Sequence, residues 1–267
     1  MRVFLTSATG YVGAAVAARL QARGHTVAAL ARSTASAERL LAAGIRPVPG
    51  NLARAETYRD EAERADAVVH TAFEYSADGA EKVDLDMEAT RTLMRARRLI
   101  YTSNAYRPRI AVERMLAPSA AAIRVGMVYG ACGGGTIASL FAAAQYNAHL
   151  PYLRDAANNR WSLIYLGDLA ALYERLVETK AAGVFNGVDG QPLSVLRTLE
   201  RAAAVSGASA LPADEVLVAS VHEQHTVDVM KCDVALHCDD ARELDWSPRY
   251  RSFEEGAATA YAEWCAQ

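Results

Sequence analysis

The chain has 267 residues, 52% of them hydrophobic, with 28 basic and 31 acidic side chains and a formal net charge of −3. That is enough apolar material for one large α/β core, or a core with a small appended lobe, and the near-balanced charge gives no electrostatic footprint for nucleic acid or an anionic membrane. Cys132, Cys232, Cys238 and Cys265 form no C-x-x-C pair, no apolar run reaches spanning length, and no signal-peptide pattern opens the chain, so a cytoplasmic protein without a transmembrane helix is expected.

The first half alternates strand and helix signals. "RVFLT" (residues 2–6) reads as a buried strand, and residues 12–23 show helical periodicity up to Gly24, a C-terminal stop. "TVAALAR" (26–32) is a second strand. Residues 36–43 form a short helix before Gly44, and "IRPVPGN" is an extended piece whose two prolines suit a sheet edge. A charged helix over 54–64, a strand "DAVVHTA" (66–72), a helix over 84–95, a strand "RLIYTS" (98–103), a helix over 112–116 and a strand "AAIRVGMVYG" (121–130) follow. Apolar strands alternating with helices predict a parallel sheet covered on both faces: a Rossmann-type, doubly wound α/β fold of about seven strands. After Gly130 the pattern loosens into a helix over 137–146, the strand-to-helix stretch "RWSLIYLGDLAALYERLVE", a short strand "GVFNG" and a mixed region over 191–247. Residues 1–130 are expected to form the dinucleotide-binding core, and 131–267 the remaining core strands with a small substrate lobe, in one compact unit.

The first loop, "TSATGYVG" (6–13), lies between a strand and an Ala-rich helix. A helix N-terminus presents unpaired N–H groups and partial positive charge to a phosphate, and glycines let the backbone approach it. Gly10 and Gly13 keep the spacing, and Ser7 stands where a first glycine is expected. The second strand ends in "ALARS", without the acidic residue that holds the ribose hydroxyls of NAD(H). Arg32, with Ser33 beside it, suits a 2′-phosphate instead, so NADP(H) is expected ahead of NAD(H).

In these residues the chain resembles the extended short-chain dehydrogenase/reductases, the NAD-dependent epimerase/dehydratase family. "TSATGYVG" is similar to TGxxGxxG except at Ser7. "GNL" (50–52) looks like the family's adenine-contacting G-D-L. "VVHTAF" (68–73) is similar to V-x-H-x-A-A, and "LIYTSN" (99–104) to the active-site strand. "IRVGMVYG" (123–130) resembles R-P-x-x-V-Y-G with Val125 at the proline. "RWSLIYLGDLA" (160–170) resembles the family's turn before a helix. "ARELDWSPRY" (241–250) is similar to A-x-x-x-L-G-W-x-P-x-Y with Asp245 at the glycine. The resemblance implies cofactor contacts from Thr6, Ser7, Thr9, Gly10, Tyr11, Val12, Gly13, Asn51, Leu52, Thr71, Ala72, Phe73, Thr102, Val125 and Met127.

It also implies a catalytic Ser/Thr after the fifth strand and a Tyr-x-x-x-Lys pair, the Tyr exchanging a proton with the substrate oxygen and the Lys tuning it. This chain departs from that pattern. Asn104 falls at the Ser/Thr position, Ser103 lies one residue early, and no Tyr is followed by Lys at the required spacing. Aligning "RIAVERM" (109–115) with the family's K-x-x-x-E-R helix puts Arg109 at the Lys and Ala105 at the Tyr. Ser103, Asn104 and Tyr106 are then the candidates for orienting the substrate oxygen, with Arg109 on the ribose. The segment from Asn104 to the helix is short, as is the crossover "TRTLMRARRLIYTS". Either the catalytic loop has been lost or the sequence lacks segments there; a helix ending in "RA" and running into "RRLIY" without a turn residue favours the latter.

Other candidates weigh less. "HEQH" (222–225) falls one residue short of H-E-x-x-H and reads as solvated histidines, and "CDVALHC" (232–238) lacks zinc spacing, so no metal site is expected. His70 reads as a core histidine with satisfied bonds. Glu74 and Tyr75 follow the fourth strand at the ligand-binding edge, and Trp161 and Tyr165 are further candidate substrate contacts. Asp168 reads as a helix cap. The functional expectation is an NADP(H)-dependent oxidoreductase acting on a carbonyl or secondary alcohol of a small metabolite. The alternatives are a nucleotide-sugar epimerase or dehydratase, with Arg154 and Arg160 as modest diphosphate candidates, and an NADP(H)-binding regulatory or redox-neutral protein. The resemblance implies a homodimer through helices that are short here, so oligomeric state stays open.

Overall fold

The computed structural model describes residues 1–74, 82–107, 109–131, 133 and 135–266; Tyr75 and Cys132 lie outside them. In chain order the elements are β1 (Arg2–Leu5), α1 (Tyr11–Ala22), β2 (Thr26–Ala31), α2 (Thr34–Ala42), β3 (Arg46–Pro49), α3 (Arg59–Arg64), β4 (Ala67–His70), α4 (Val83–Leu93), β5 (Leu99–Asn104), α5 (Ile110–Met115), β6 (Ala121–Val125) and β7 (Met127–Tyr129). Then come α6 (Thr136–Tyr146), β8 (His149–Leu153), β9 (Arg160–Trp161), β10 (Leu163–Tyr165), α7 (Leu166–Glu178), β11 (Gly183–Gly187), β12 (Leu193–Ser194), α8 (Val195–Ser206), β13 (Ser209–Ala213), α9 (Glu215–Val221), α10 (Gln224–Met230), α11 (Asp239–Arg242) and α12 (Phe253–Cys265).

Seven strands make one sheet in the order β11-β6-β5-β4-β1-β2-β3. Strands β3, β2, β1, β4 and β5 pair in parallel. This is the doubly wound Rossmann order, with the strand order reversing beside β1. The proline-bearing β3 takes the sheet edge, where a missing N–H costs least. Helix α1 buries Gly13, Val16, Ala17 and Leu20, one face at helical spacing. It stops at Gly24, whose φ of 80° lies in the left-handed region.

The chain divides into two units, Met1–Arg124 with Ala170–Phe185, and Val125–Leu169 with Asn186–Gln267. In place of a single boundary near residue 130, the chain leaves the first unit at the end of β6, returns within α7 and leaves again within β11. The core of the first unit includes Phe4, Leu30, Tyr58, Val68, Leu93 and Leu99. The second unit holds three two-stranded pairings, β10-β7, β12-β9 and β13-β8.

Three local differences from the sequence reading have physical causes. The single helix expected over 54–64 is a 3-10 turn (Ala55–Thr57) followed by α3, because Tyr58 turns inward and donates its hydroxyl to Leu52 O at 3.1 Å. The strand expected over 121–130 breaks at Gly126, where a Cβ would lie 2.5 Å from Ser162 O; β7 pairs with β10 instead. The crossover that looked too short closes in a turn, with Arg95 N donating to Thr92 O and Ala96 N to Leu93 O. Arg98, nearly buried, then anchors the start of β5 by donating to Leu176 O and Ala181 O.

Candidate functional site

The site begins where β1 ends. Gly10 is the N-cap of α1 with extended backbone and no side-chain cap, and the first turn carries no acidic residue. The N-terminus of this twelve-residue helix carries the partial positive charge that suits an anion. Gly13 is required by packing: a Cβ there would sit 1.8 Å from Ser7 O and 3.0 Å from Thr71 Oγ1. Ser7 has no positive φ, so it needs none of the backbone freedom reserved to glycine. Its Oγ lies 3.0 Å from where a Gly10 Cβ would be. Ser7→Gly is therefore expected to change NADPH affinity less than about threefold by titration, since it removes no obstruction; a gain above tenfold would show that Ser7 impairs the loop.

A cavity of about 220 Å³ opens at this loop, entirely within the first unit. Thr6, Ser7, Thr9 and Gly10 line it, as do Arg32, Asn51, Leu52, Ala72 and Phe73, all expected cofactor contacts. Glu74, expected at the substrate, lines the same cavity and pairs with Lys82 at 3.5 Å. Leu30, Ser36 and Arg39 also line it and were not anticipated. Arg39 follows Ser36 at the i, i+3 spacing that puts two residues on one helix face; that spacing was the available signal. Neither Arg32 nor Arg39 has an ion-pair partner among the described residues.

Ser33 serves the helix rather than the cavity. Its Oγ accepts from Ser36 N at 3.2 Å, and Ser36 Oγ returns bonds to the Ser33 backbone, a capping box at the start of α2. Tyr11, Val12, Gly13, Thr71 and Thr102 are not among the cavity-lining residues. Two buried polar atoms at the loop, Asn51 Oδ1 and Thr71 Oγ1, have no hydrogen-bond partner among the described residues. Buried polar atoms are normally satisfied; Asn51 also lines the cavity, so its oxygen, with the helix N-terminus and the glycine-dependent packing, fits a dinucleotide.

The residues expected to carry the chemistry are largely committed to holding the backbone. Ser103 is buried, and its Oγ accepts from Arg109 N at 3.1 Å. Asn104 Oδ1 accepts from Tyr106 N at 2.8 Å and Arg107 N at 3.1 Å, closing the turn after β5. The Arg109 guanidinium donates to Thr102 O at 2.9 Å and lies 3.3 Å above the Phe73 ring. Thr102 Oγ1 shares a 2.6 Å bond with Tyr173 OH. These contacts correct the expectation that Ser103 and Asn104 are free to orient a substrate oxygen. Beside them, burial pushes the Glu113 carboxyl up, but hydrogen bonds from Arg124 and Ser103 outweigh it and hold it below its usual range.

In the second unit Trp161 is fully buried and its indole N–H donates to Val229 O at 3.0 Å, so it is core and not a substrate contact. Tyr165 is partly buried and donates its hydroxyl to Glu263 Oε1 at 2.5 Å. Val125 is buried at the end of β6, and Met127 opens β7 half-exposed. Asp168 is not a helix cap: its carboxylate accepts from Tyr250 N at 3.2 Å. His222 is not solvated but buried, with Nε2 on Pro151 O at 2.9 Å, and burial lowers its pKa. Arg160 is spent on Asp233, with Nε and Nη2 at 2.9 and 3.0 Å from the two carboxylate oxygens. Asp245, at the family's glycine position, has a φ of 55°, a region aspartate tolerates better than most residues. Among the described residues no group of three or more His, Cys, Asp or Glu is disposed to hold a metal, and no helix is long and apolar enough to cross a membrane.

Residues 7–117 match a family model described as NAD(P)H-binding. A Stigmatella aurantiaca protein named 4-hydroxy-2-methyl-3-oxo-4-farnesyl-3,4-dihydroquinoline-1-oxide ketoreductase is 38% identical over 77 residues, 29% of this chain and 23% of its own. An uncharacterized Schizosaccharomyces pombe protein is 40% identical over 73 residues, 27% of this chain and 25% of its own. The matched segments thus span about a quarter of these relatives. Among solved structures, the Thermus thermophilus UDP-glucose 4-epimerase complex with NAD superimposes with a TM-score of 0.77 at 18% identity, covering 99% of both chains. A human epimerase family protein with NADPH gives a TM-score of 0.75 at 17% identity, covering 98% of this chain and 99% of its own. The chain therefore carries an NAD(P)H-binding domain on the fold of the extended short-chain dehydrogenase/reductases, the NAD-dependent epimerase/dehydratase family that its motifs resemble.

Proposed function

We propose that the protein is an NADP(H)-dependent oxidoreductase acting on a carbonyl or secondary alcohol of a small metabolite. The observation that carries the cofactor choice is the pair of guanidiniums, Arg32 and Arg39, lining the same cavity as the glycine-rich loop, at the end of a second strand that offers no carboxylate. The uncapped N-terminus of α1 holds the pyrophosphate, and the two arginines hold the 2′-phosphate, each charge-assisted bond contributing about 1.5–3 kcal/mol. Asn51 Oδ1, buried and without a hydrogen-bond partner among the described residues, would be an acceptor available to the adenine amino group. The bound cofactor supplies or removes the hydride. Tyr106 brings the one phenol of the expected substrate-orienting set and exchanges the proton with the substrate oxygen. The ketoreductase name of one relative supports carbonyl chemistry.

A second reading, NADP(H) binding without turnover, is favoured by the commitment of Ser103 and Asn104 to backbone N–H groups. Of the two diphosphate candidates for a nucleotide-sugar reaction, Arg160 is already paired with Asp233, which weakens that reading, whereas Arg154 lines a cavity of the second unit.

Calorimetric titration tests the cofactor choice. NADPH should bind at least tenfold more tightly than NADH, and Arg32→Ala and Arg39→Ala should each weaken NADPH about tenfold or more while leaving NADH unchanged. Equal affinities in the parent would sink the assignment. Absorbance of the reduced nicotinamide across a panel of ketones and aldehydes then separates the readings: turnover supports the oxidoreductase, and binding without oxidation supports the second.

A further inference from the structure

A buried chain of side chains runs behind the cofactor cavity. Thr6 Oγ1 accepts from two backbone donors, Thr71 N at 3.2 Å and Ala72 N at 3.0 Å. Both lone pairs of the hydroxyl are then used, so its proton goes to its remaining partner, His70 Nδ1 at 2.8 Å. That nitrogen must be bare. The neutral imidazole therefore carries its proton on Nε2, which donates to Asp86 Oδ1 at 3.0 Å. Tyr101 donates its hydroxyl to Asp86 Oδ2. Burial, then the Asp86 charge, raise the Tyr101 pKa, so the phenol stays a donor. His70 and Asp86 are almost completely buried, and Asp86 lies in the first turn of α4, where the helix dipole favours a carboxylate. Every donor and acceptor direction in the chain is thereby determined, from Thr6 through His70 to Asp86.

The two amides held by Thr6 belong to the segment that leaves β4, and Ala72, Phe73 and Glu74 of that segment line the cavity; Thr6 itself lines it from a second segment, the glycine-rich loop. The Thr6 backbone N–H also donates to Val69 O at 3.2 Å, and the hydroxyl extends this tie past the end of β4; with both lone pairs on the two amides, its proton is left for His70 Nδ1. We infer that Asp86 and His70 are positioning residues for the dinucleotide: Asp86 selects the His70 tautomer, the tautomer orients the Thr6 hydroxyl, and the hydroxyl sets the spacing of the slot. Neither residue lines the cavity. The inference rests on dinucleotide binding in that cavity, the premise of the function proposed above.

The experiment uses the full-length chain in three measurements. Long-range nitrogen–proton correlation spectra of histidine-labelled protein without cofactor, with His70 assigned through His70→Asn, should show an Nε2–H imidazole with an acceptor Nδ1; an Nδ1–H tautomer would overturn the inference. Amide exchange at Thr71 and Ala72 should be slow in the parent and in Thr6→Ser, and at least tenfold faster in Thr6→Val. NADPH affinity should fall at least tenfold in Thr6→Val and in Asp86→Asn, and recover to within about threefold in Thr6→Ser. Unchanged exchange and affinity in folded Thr6→Val would also overturn it. If Asp86→Asn does not fold, as judged by circular dichroism, the tautomer and the two Thr6 variants decide. A parent that binds neither NADPH nor NADH defeats the functional reading, whereas the tautomer and exchange results stand without cofactor, so the two failures are distinguishable.

Discussion

Gly13→Ala is expected to abolish NADPH binding and to cost about 3 kcal/mol of stability, the upper part of the range for overpacking. The new methyl would occupy a point 1.8 Å from Ser7 O and 3.0 Å from Thr71 Oγ1. The first of these is backbone, so relief requires moving either α1 or the glycine-rich loop, and either movement changes the spacing between the helix N-terminus and the loop that line the cavity. For a chain of this size that cost corresponds to a fall in Tm of about 6–12 °C. Gly10→Ala is the control. Its methyl would meet Ser7 Oγ at 3.0 Å, the end of a side chain that can rotate, so Tm should move by no more than about 2 °C. Scanning calorimetry and NADPH titration check the pair. A Gly13→Ala protein with parental Tm and affinity would mean that the close approach of helix to loop is wrong.

The second large effect is a pH dependence from the second unit. Asp189 is fully buried, and its Oδ2 has no hydrogen-bond partner among the described residues. Burial pushes its pKa up to about 8, with the Asp168 and Glu255 charges adding to the rise and the Gln191 N–H opposing it. The unfolded carboxyl titrates at about 3.9. Between these values the native state holds a proton that the unfolded chain has released, so stability falls as pH rises through that window and levels off above about pH 8. The slope approaches about 1.4 kcal/mol per pH unit at most. Asp189→Asn removes the titration while keeping an oxygen for Gln191 N. Urea unfolding of both proteins from pH 5 to pH 9 should show the parent losing on the order of 2–4 kcal/mol relative to the variant. A difference that stays flat across that range would show that Asp189 is ionised in the native protein.

Much of the cofactor domain was legible in the sequence because its signals are local. An apolar run, a loop with Gly10 and Gly13 and an Ala-rich helix define the first strand–loop–helix unit without reference to the rest of the chain. Gly24 and the prolines of β3 mark a helix end and a sheet edge through backbone conformation alone. Arg32 was visible because it directly follows β2. Arg39 was not singled out, because its relevance depends on which face of α2 meets the cavity. The chemistry was less legible. Ser103 and Asn104 stand at or next to the expected Ser/Thr position at the end of β5, and their oxygens are taken by Arg109, Tyr106 and Arg107 N–H groups. Which hydrogen bonds a polar side chain makes is decided by where the backbone turns next, and the short segment after β5 forces those turns onto the nearest oxygens.

By itself, then, the amino-acid order determined the alternation of strand and helix, the anion-binding loop and the basic end of β2, since each depends on residues adjacent in sequence and on backbone preferences that act over a few positions. Only the tertiary structure decided that Gly126 lets β7 leave the central sheet, that Trp161, Asp168 and His222 are internal, and that Thr6, His70, Asp86 and Tyr101 form one chain. Those four come from β1's end, β4, α4 and β5, and the Thr6–Tyr101 span brings in parts of the molecule that only packing places together. A side chain's chemistry is set by its neighbours in space, and for a buried hydroxyl, imidazole or carboxylate the neighbours settle which atom holds the proton.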